Sequence, residues 1–393
     1  MTATTAYAVP RSRATDRGGA LRRVDWVLLA AVAGLLAIGA LEVWSVTSGG
    51  SPSAPKGRSF LKKEAVNVGI GSVLALAAAW FDYRRLRLWA PVVYAAAVLG
   101  LVAVLSPLGA TINGSHSWIL LPAGFSIQPS EIAKVALVVG LAMVLSEKRG
   151  SETAAGDGDV VLALVGAAVP LGLVMLQPDL GTALVISLMV VGMIAVSGAP
   201  LRWVVLLVVT AAGLGTAAVT VPGLLSPYQV DRLTSFAHPD RDLSGSAYNV
   251  HQGMIAIGGG GLHGYGLFHG PQTQGGFVPE QQTDFIFTAV GEELGFRGAL
   301  ALVALLLVVL WRAGRIAWAA DDLFGRLVGV GTICWFGFQA FENIGMTLGI
   351  MPVTGVPLPF VSYGGSSTFA ALVAVGLLQN VHTRRSGRHP GVD

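Results

Sequence analysis

Apolar runs long enough to cross a hydrocarbon core of about 30 Å recur along the chain, separated by polar breaks. They fall at 26–46, 64–81, 90–106, 130–146, 160–176, 180–197, 202–221, 284–311, 326–350 and 361–381. This pattern predicts an all-α polytopic membrane protein of about ten transmembrane helices. Residues 1–23 read as a polar, Arg-rich N-terminal tail, 24–383 as one transmembrane domain and 384–393 as a C-terminal tail. Composition agrees, since 53% of residues are hydrophobic and 12% charged, with a mean hydropathy of +0.67. An ordinary soluble domain carries about twice that charge fraction. The first run, Trp26 to Val46, lacks a small-residue cleavage site and reads as a retained helix.

An even number of spans puts both termini on one side of the membrane. Placing them inside gathers most of the 25 lysines and arginines in the cytoplasm, as the positive-inside rule requires. Lys56, Arg58, Lys62 and Lys63, in the first outer loop, dissent. The pI of 9.1 does not indicate nucleic-acid binding, because the basic residues are scattered between apolar runs and set topology instead. Cys334 is the only cysteine, which excludes an intrachain disulfide and a multi-cysteine zinc site. It reads as a small apolar packing residue.

The longest break, 222–283, falls on the outer side and far exceeds ordinary connections. Its stretch "SAYNVHQGMIAIGGGGLHGYGLFHGPQTQGGFVPE" mixes aromatic and aliphatic residues with many glycines and almost no charge. A disordered linker is more charged and less apolar, so an ordered, glycine-jointed cap is expected, with a short helix at 249–257. Four further polar segments share the outer side: 113–134, 177–182, 277–287 and 352–367, beside 228–242 within the long break. The inner loops are short and basic, so a site open to the exterior is expected.

Ionisable groups at membrane depth are costly and mark a site or a specific pair. Glu131 and Lys134, three apart on one helix, read as a mutually neutralising pair. Glu292 and Glu293 have Arg297 within a turn as a candidate partner. Asp284 lies at the start of a helical run with no basic residue within one turn. "IQPSEIAK" and "LQPDLGTA" repeat a Gln-Pro followed by an acid, Glu131 or Asp179, where proline suits the first helical turn and the helix dipole favours a carboxylate. No P-loop, H-E-x-x-H or G-x-S-x-G motif occurs, and the histidines lack ligand spacing. "SYGGSS" reads as a glycine-rich turn capping the last helix.

The segments "SWILLPAGFSIQPSEIAK", "QPDLGTALV", "YQVDRLTSF", "FVPEQQTDFIFTAVGEELG" and "NIGMTLGIMPVTGVPLPFVSYGGSS" resemble the SEDS proteins, represented by RodA and FtsW, polytopic peptidoglycan glycosyltransferases of the bacterial cytoplasmic membrane. "GPQTQGGFVPEQQTDFIF" and "NIGMTLGIMPVTG" look closer to RodA than to FtsW. Two departures stand out: His116 and Ser117 occupy a place where the family often has a basic residue, and Gln282 stands where a common form of the motif has histidine.

The resemblance implies that lipid II, a disaccharide-pentapeptide on undecaprenyl diphosphate, is polymerised into a β-1,4 glycan strand at the outer face, for cell elongation and shape. Such a transfer needs a base for the attacking hydroxyl and stabilisation of the departing diphosphate, which leaves as a stable anion without a second acid. Asp284 matches the family's catalytic aspartate. The implied substrate-binding set is Glu280, Thr283, Trp118, Gln128, Glu131, Lys134, Asp179, Arg232, Arg241 and Tyr363, with the arginines suited to diphosphate. No organic cofactor is implied; a divalent cation, Mg2+ or Mn2+, held by Glu280 and Asp284, is the candidate metal. The implied partners are lipid II, the growing strand, membrane lipids and a class B penicillin-binding transpeptidase. The rival readings are a flippase for the lipid-linked precursor, a division-specific FtsW-like polymerase, and a scaffold for a partner enzyme.

Overall fold

The computed structural model of the chain describes residues 23–49, 54–112, 115–121, 125–147, 154–221 and 245–385. It is mostly helical. Seven helices precede the long connection: α1 (Trp26–Ser48), α2 (Pro55–Trp80), α3 (Tyr83–Leu105), α4 (Pro129–Leu145), α5 (Asp157–Leu176), α6 (Leu180–Val196) and α7 (Leu201–Thr220). After it come α8 (Gly245–Gly259), α9 (Pro271–Gly275), α10 (Ile286–Glu293), α11 (Gly295–Trp318), α12 (Leu323–Thr347) and α13 (Gly365–Thr383).

Local chemistry sets the helix ends. The carboxylates of Asp25, Asp82, Asp179 and Asp322 each accept a main-chain N–H in the first turn of α1, α3, α6 and α12, satisfying donors that have no intrahelical partner. Pro55, Pro129 and Pro271 sit in the first turns of α2, α4 and α9, where proline loses nothing. Among the described residues, α1, α3, α5, α11 and α12 are long and apolar enough to cross a membrane by length and composition; α6 and the Leu201–Ala217 part of α7 are shorter apolar helices. The outward faces carry exposed large apolar side chains such as Leu88, Leu99 and Val209, as lipid contact requires. α4 and α12 are buried along most of their length, α13 packs along α2, and α12 packs against α4, α6 and α11.

Several sequence expectations are corrected. The chain is not all helix: β1 (Gly109–Ile112), β2 (Ser115–Leu121) and β3 (Phe125–Ile127) form an antiparallel sheet in the order β1-β2-β3. Their alternating short polar and apolar residues pair with each other, in registers such as Ala110 with Trp118 and Ile119 with Ile127. The run 284–311 is two helices, because Gly295 takes φ +64° and breaks α10 from α11. A Cβ there would stand 2.3 Å from the nitrogen of Gly264, so the break is also where the cap packs. The basic residues Lys56, Arg58, Lys62 and Lys63 lie in the first turns of α2 rather than in a loop. The expected helix at 249–257 is present and longer, as α8, which packs on α10 and α12.

Candidate functional site

The segment 277–285 is fixed from several sides. Val278 and Phe285 are buried with Val250, Met346 and Val353 in a small apolar cluster. Gln281, also buried, donates from Nε2 to Thr273 Oγ1 and Thr288 Oγ1, each at 3.0 Å. The main-chain oxygen of Gln282 accepts from Tyr363 N at 2.9 Å, which joins this segment to the 352–364 stretch. Between these anchors Glu280 adopts φ +51°, a conformation that costs a non-glycine residue free energy and recurs where surrounding structure over-determines it. Its carbonyl then accepts from both Thr283 N and Asp284 N at 3.1 Å. The result is one tight turn that carries Glu280, Thr283 and Asp284 just ahead of α10.

That turn forms one wall of a cavity of about 290 Å3. The other walls come from β2 and β3 (Trp118, Ser126), the foot of α4 (Gln128), the foot of α6 (Asp179), the 354–357 stretch, and Tyr363 with the start of α13. Four of the five polar segments that the sequence placed on one face therefore converge on one cavity. The fifth, 228–242, with Arg232 and Arg241, lies outside the described residues. Within the cavity, Gln128 donates from Nε2 to Asp179 Oδ2 at 3.2 Å, so the two Gln-Pro segments meet through their polar residues. Asp179 also accepts from Thr182 N at 3.0 Å; it is the cap of α6, and Pro178 precedes that cap instead of occupying the first turn. Gln128 N donates to Ser366 Oγ at 2.9 Å, tying the foot of α4 to α13. Tyr363 packs its ring on Phe60 with centroids 5.0 Å apart, and Gly364 caps α13, as the glycine-rich turn predicts.

Glu131 and Lys134 are not on the cavity wall. Lys134 is fully buried and donates to Glu131 Oε1 at 2.7 Å and Gln339 Oε1 at 2.8 Å, with its ammonium 5.0 Å from the Trp335 ring centroid. The pair is closed inside the bundle, as its spacing predicts. The expected pairing of Glu292 or Glu293 with Arg297 is not what the structure shows: Arg297 is exposed, and both acids turn toward the cap. Glu292 accepts from Gln272 N at 2.7 Å, Thr273 N at 2.8 Å and Thr273 Oγ1 at 2.6 Å. Glu293 accepts from Gln274 Nε2 at 2.6 Å. A short helix N-terminus offers unsatisfied N–H donors, and a buried carboxylate is stabilised by several of them at once.

Asn343, Thr354, Asn67, Phe60 and Ser366 were missed as site residues. Asn343 is fully buried in α12 and donates from Nδ2 to the main-chain oxygens of Asp284, at 2.8 Å, and Val356, at 2.7 Å. The available signal was the cost of an amide inside an apolar run, which holds equally for Asn67 in α2.

A helical bundle with apolar outer faces, charged groups sealed inside and a polar cavity at one end defines a multi-pass membrane protein. Residues 25–387 match the sequence model of the FtsW, RodA and SpoVE family, described as "Cell cycle protein", and the chain belongs to that family. It is 34% identical over 368 residues to a protein named "Probable peptidoglycan glycosyltransferase FtsW" of Trichlorobacter lovleyi, covering 92% of this chain and 93% of that one. It is also 34% identical over 366 residues to "Peptidoglycan glycosyltransferase MrdB" of Escherichia coli K12, covering 92% of this chain and 94% of that one. A solved chain described under "Structural coordination of polymerization and crosslinking by a peptidoglycan synthase complex" superposes with a TM-score of 0.76 at 33% identity, over 93% of this chain and 99% of that one.

Proposed function

We propose that the protein is a peptidoglycan glycosyltransferase that polymerises lipid II into β-1,4 glycan strands at the outer face of the bacterial cytoplasmic membrane. The observation that carries this reading is the placement of Asp284 on the wall of a cavity of about 290 Å3, on a turn held from several sides, in a chain whose relatives bear peptidoglycan glycosyltransferase names. The proposed topology has ten spans and both termini in the cytoplasm, which puts the cavity outside and the basic helix ends inside.

The proposed reaction forms one bond and breaks one. A sugar hydroxyl attacks the anomeric carbon of the donor, the bond from that carbon to the diphosphate oxygen breaks, and the hydroxyl proton passes to a carboxylate oxygen of Asp284. The electron pair leaves with undecaprenyl diphosphate. Glu280 and Thr283, on the same turn, orient the acceptor; Trp118 and Tyr363 supply flat apolar surfaces for sugar, and Gln128 and Asp179 supply hydrogen-bonding groups on another wall of the cavity. Arg232 and Arg241 are proposed for the diphosphate. Among the described residues no three His, Cys, Asp or Glu side chains gather as a metal cage. Two carboxylates on one turn fit Mg2+ or Mn2+, which bind through one or two carboxylates together with substrate phosphates. Such an ion, when bound, supplies charge neutralisation to the leaving group, with Glu280 and Asp284 as its protein ligands.

The elongation role rests on the RodA-like wording of two motifs, since relatives named FtsW and MrdB match at the same 34% identity. A class B penicillin-binding transpeptidase is the proposed partner, supported by the likeness to a complex described as coordinating polymerization and crosslinking.

The test is polymerisation of lipid II by purified protein, with a divalent cation and the transpeptidase partner present. Asp284→Asn is expected to lower the rate by about 100-fold or more while the melting temperature is unchanged. Full activity in that variant would remove the assigned role. Wild-type protein that moves labelled lipid II across liposomes without polymerising it would favour the flippase reading.

A further inference from the structure

A second concavity, of about 540 Å3, lies at the end of the bundle opposite the polar cavity. Its place follows from the helices that build it: the last turns of α11 and α13, whereas the polar cavity opens at the start of α13. Trp311, Arg312, Arg315 and Trp318 come from α11, and His382 and Arg385 from α13 and the residues just after it.

The charges here are not internally balanced. Arg312 is committed to Asp25, with Nε donating to Oδ2 at 2.8 Å and Nη2 to the same oxygen at 2.5 Å. Among the described residues, neither Arg315 nor Arg385 is in an ion pair, and both are exposed. The Trp311 ring faces two guanidinium groups, with Arg312 and Arg315 Cζ at 5.3 and 5.5 Å from its centroid. That contact holds Arg315 by a cation–π interaction but leaves its N–H donors open. Trp318, 84% exposed at the end of α11, is an amphipathic ring of the kind that lies at headgroup level. His382 Nδ1 is buried and, among the described residues, has no hydrogen-bond partner.

We propose that this concavity binds the phosphate headgroup of an anionic phospholipid, with Arg315 and Arg385 as its ligands. Three features select a lipid over free phosphate. The concavity lies at the ends of two apolar helices, so a headgroup held there leaves its acyl chains against their lipid-facing sides. Trp311 and Trp318 offer apolar surface that inorganic phosphate does not use, and the volume suits a glycerophosphate group more than a single ion. Unpaired arginines at helix ends are the usual means by which membrane proteins hold anionic headgroups. The inference concerns the face opposite the chemistry and stands independently of the assignment of Asp284.

The test uses full-length protein, delipidated in detergent and titrated with phosphatidylglycerol or phosphatidylcholine, with bound lipid counted by native mass spectrometry. Wild-type protein is expected to retain phosphatidylglycerol at least about tenfold better than phosphatidylcholine. Arg315→Gln with Arg385→Gln is expected to abolish that preference, and Arg315→Lys with Arg385→Lys to keep most of it. Both side chains are exposed, so the fold does not depend on them, and an unchanged melting temperature verifies this. Equal retention of the two lipids by wild type, an unaltered preference in the glutamine variant, or displacement of the lipid by millimolar inorganic phosphate would overturn the proposal.

Discussion

Asn343 Nδ2 lies 2.8 Å from the main-chain oxygen of Asp284 and 2.7 Å from that of Val356. One amide on a buried helix therefore ties the turn carrying the proposed base to the adjacent 354–357 stretch, which lines the same cavity. Asn343→Ala leaves two carbonyls without their donor, at about 1–3 kcal/mol for each one that stays buried. A lower melting temperature is expected, together with a fall in kcat at least tenfold beyond what the lost fraction of folded protein explains, measured in the lipid II polymerisation assay. Asn343→Asp, isosteric but without the donor when ionised, should fail in the same way. Unchanged kcat in both variants would show that the clamp is not needed.

The buried pair Lys134 and Glu131 makes a prediction about stability and not binding. Lys134→Met strands a carboxylate that is 2% exposed in the bundle interior, where an uncompensated charge costs about 3–5 kcal/mol. The double variant Glu131→Gln with Lys134→Met removes both charges and should recover most of the loss. Thermal unfolding of the two single variants and the double variant measures the coupling; additive effects would contradict it.

Glu292 holds the cap to α10 through three hydrogen bonds from Gln272 and Thr273. Glu292→Gln removes the charge and leaves one amide oxygen to accept where two carboxylate oxygens did. Hydrogen exchange at residues 270–276 is expected to speed up by about tenfold, while exchange in α4 and α12 stays unchanged. A uniform change over the whole chain would mean that Glu292 supports the bundle and not the cap.

Gly264 has φ +75°, and a Cβ there would stand 2.1 Å from the oxygen of Glu293. Gly264→Ala therefore meets both a backbone conformation that suits glycine and an atom that cannot move without shifting α10. A loss of stability is expected, with faster exchange at the α10–α11 junction. Gly261→Ala, which shares a positive φ but has open space around it, should cost about 1 kcal/mol. Equal losses at the two positions would show that the contact with Glu293 adds nothing to the conformational cost.

Much of this architecture was legible along the chain, and particular residues show why. The apolar runs mark α1, α3 and α5 because a helix in lipid satisfies its own backbone, so length and hydropathy suffice. The three-residue spacing of Glu131 and Lys134 places them on one helix face wherever that helix packs. Gly364 at the start of α13 was legible for a similar reason, since the turn it makes is local. The sheet at 109–127 was not: each strand is short, and its hydrogen bonds are made to a strand elsewhere in the segment, which no local pattern encodes. The partner of Glu292 is not legible locally: Arg297 is near in sequence, whereas Thr273 reaches the carboxylate only after the connection folds back.

The cavity shows the same division. That Gln128, Asp179, Asp284 and Tyr363 would share one face, as they do in lining one cavity, was expected from the order and direction of the apolar runs, which are properties of the linear chain. That Gln128 meets Asp179, and that Asn343 grips Asp284 across 59 positions, depended on which helices lie side by side. Hydropathy specifies that a helix is buried and which end is polar, but it is nearly blind to neighbours, because lipid and another apolar helix look alike to it. Buried polar side chains choose among those neighbours, since each must find its partner or bear the cost of an empty hydrogen bond.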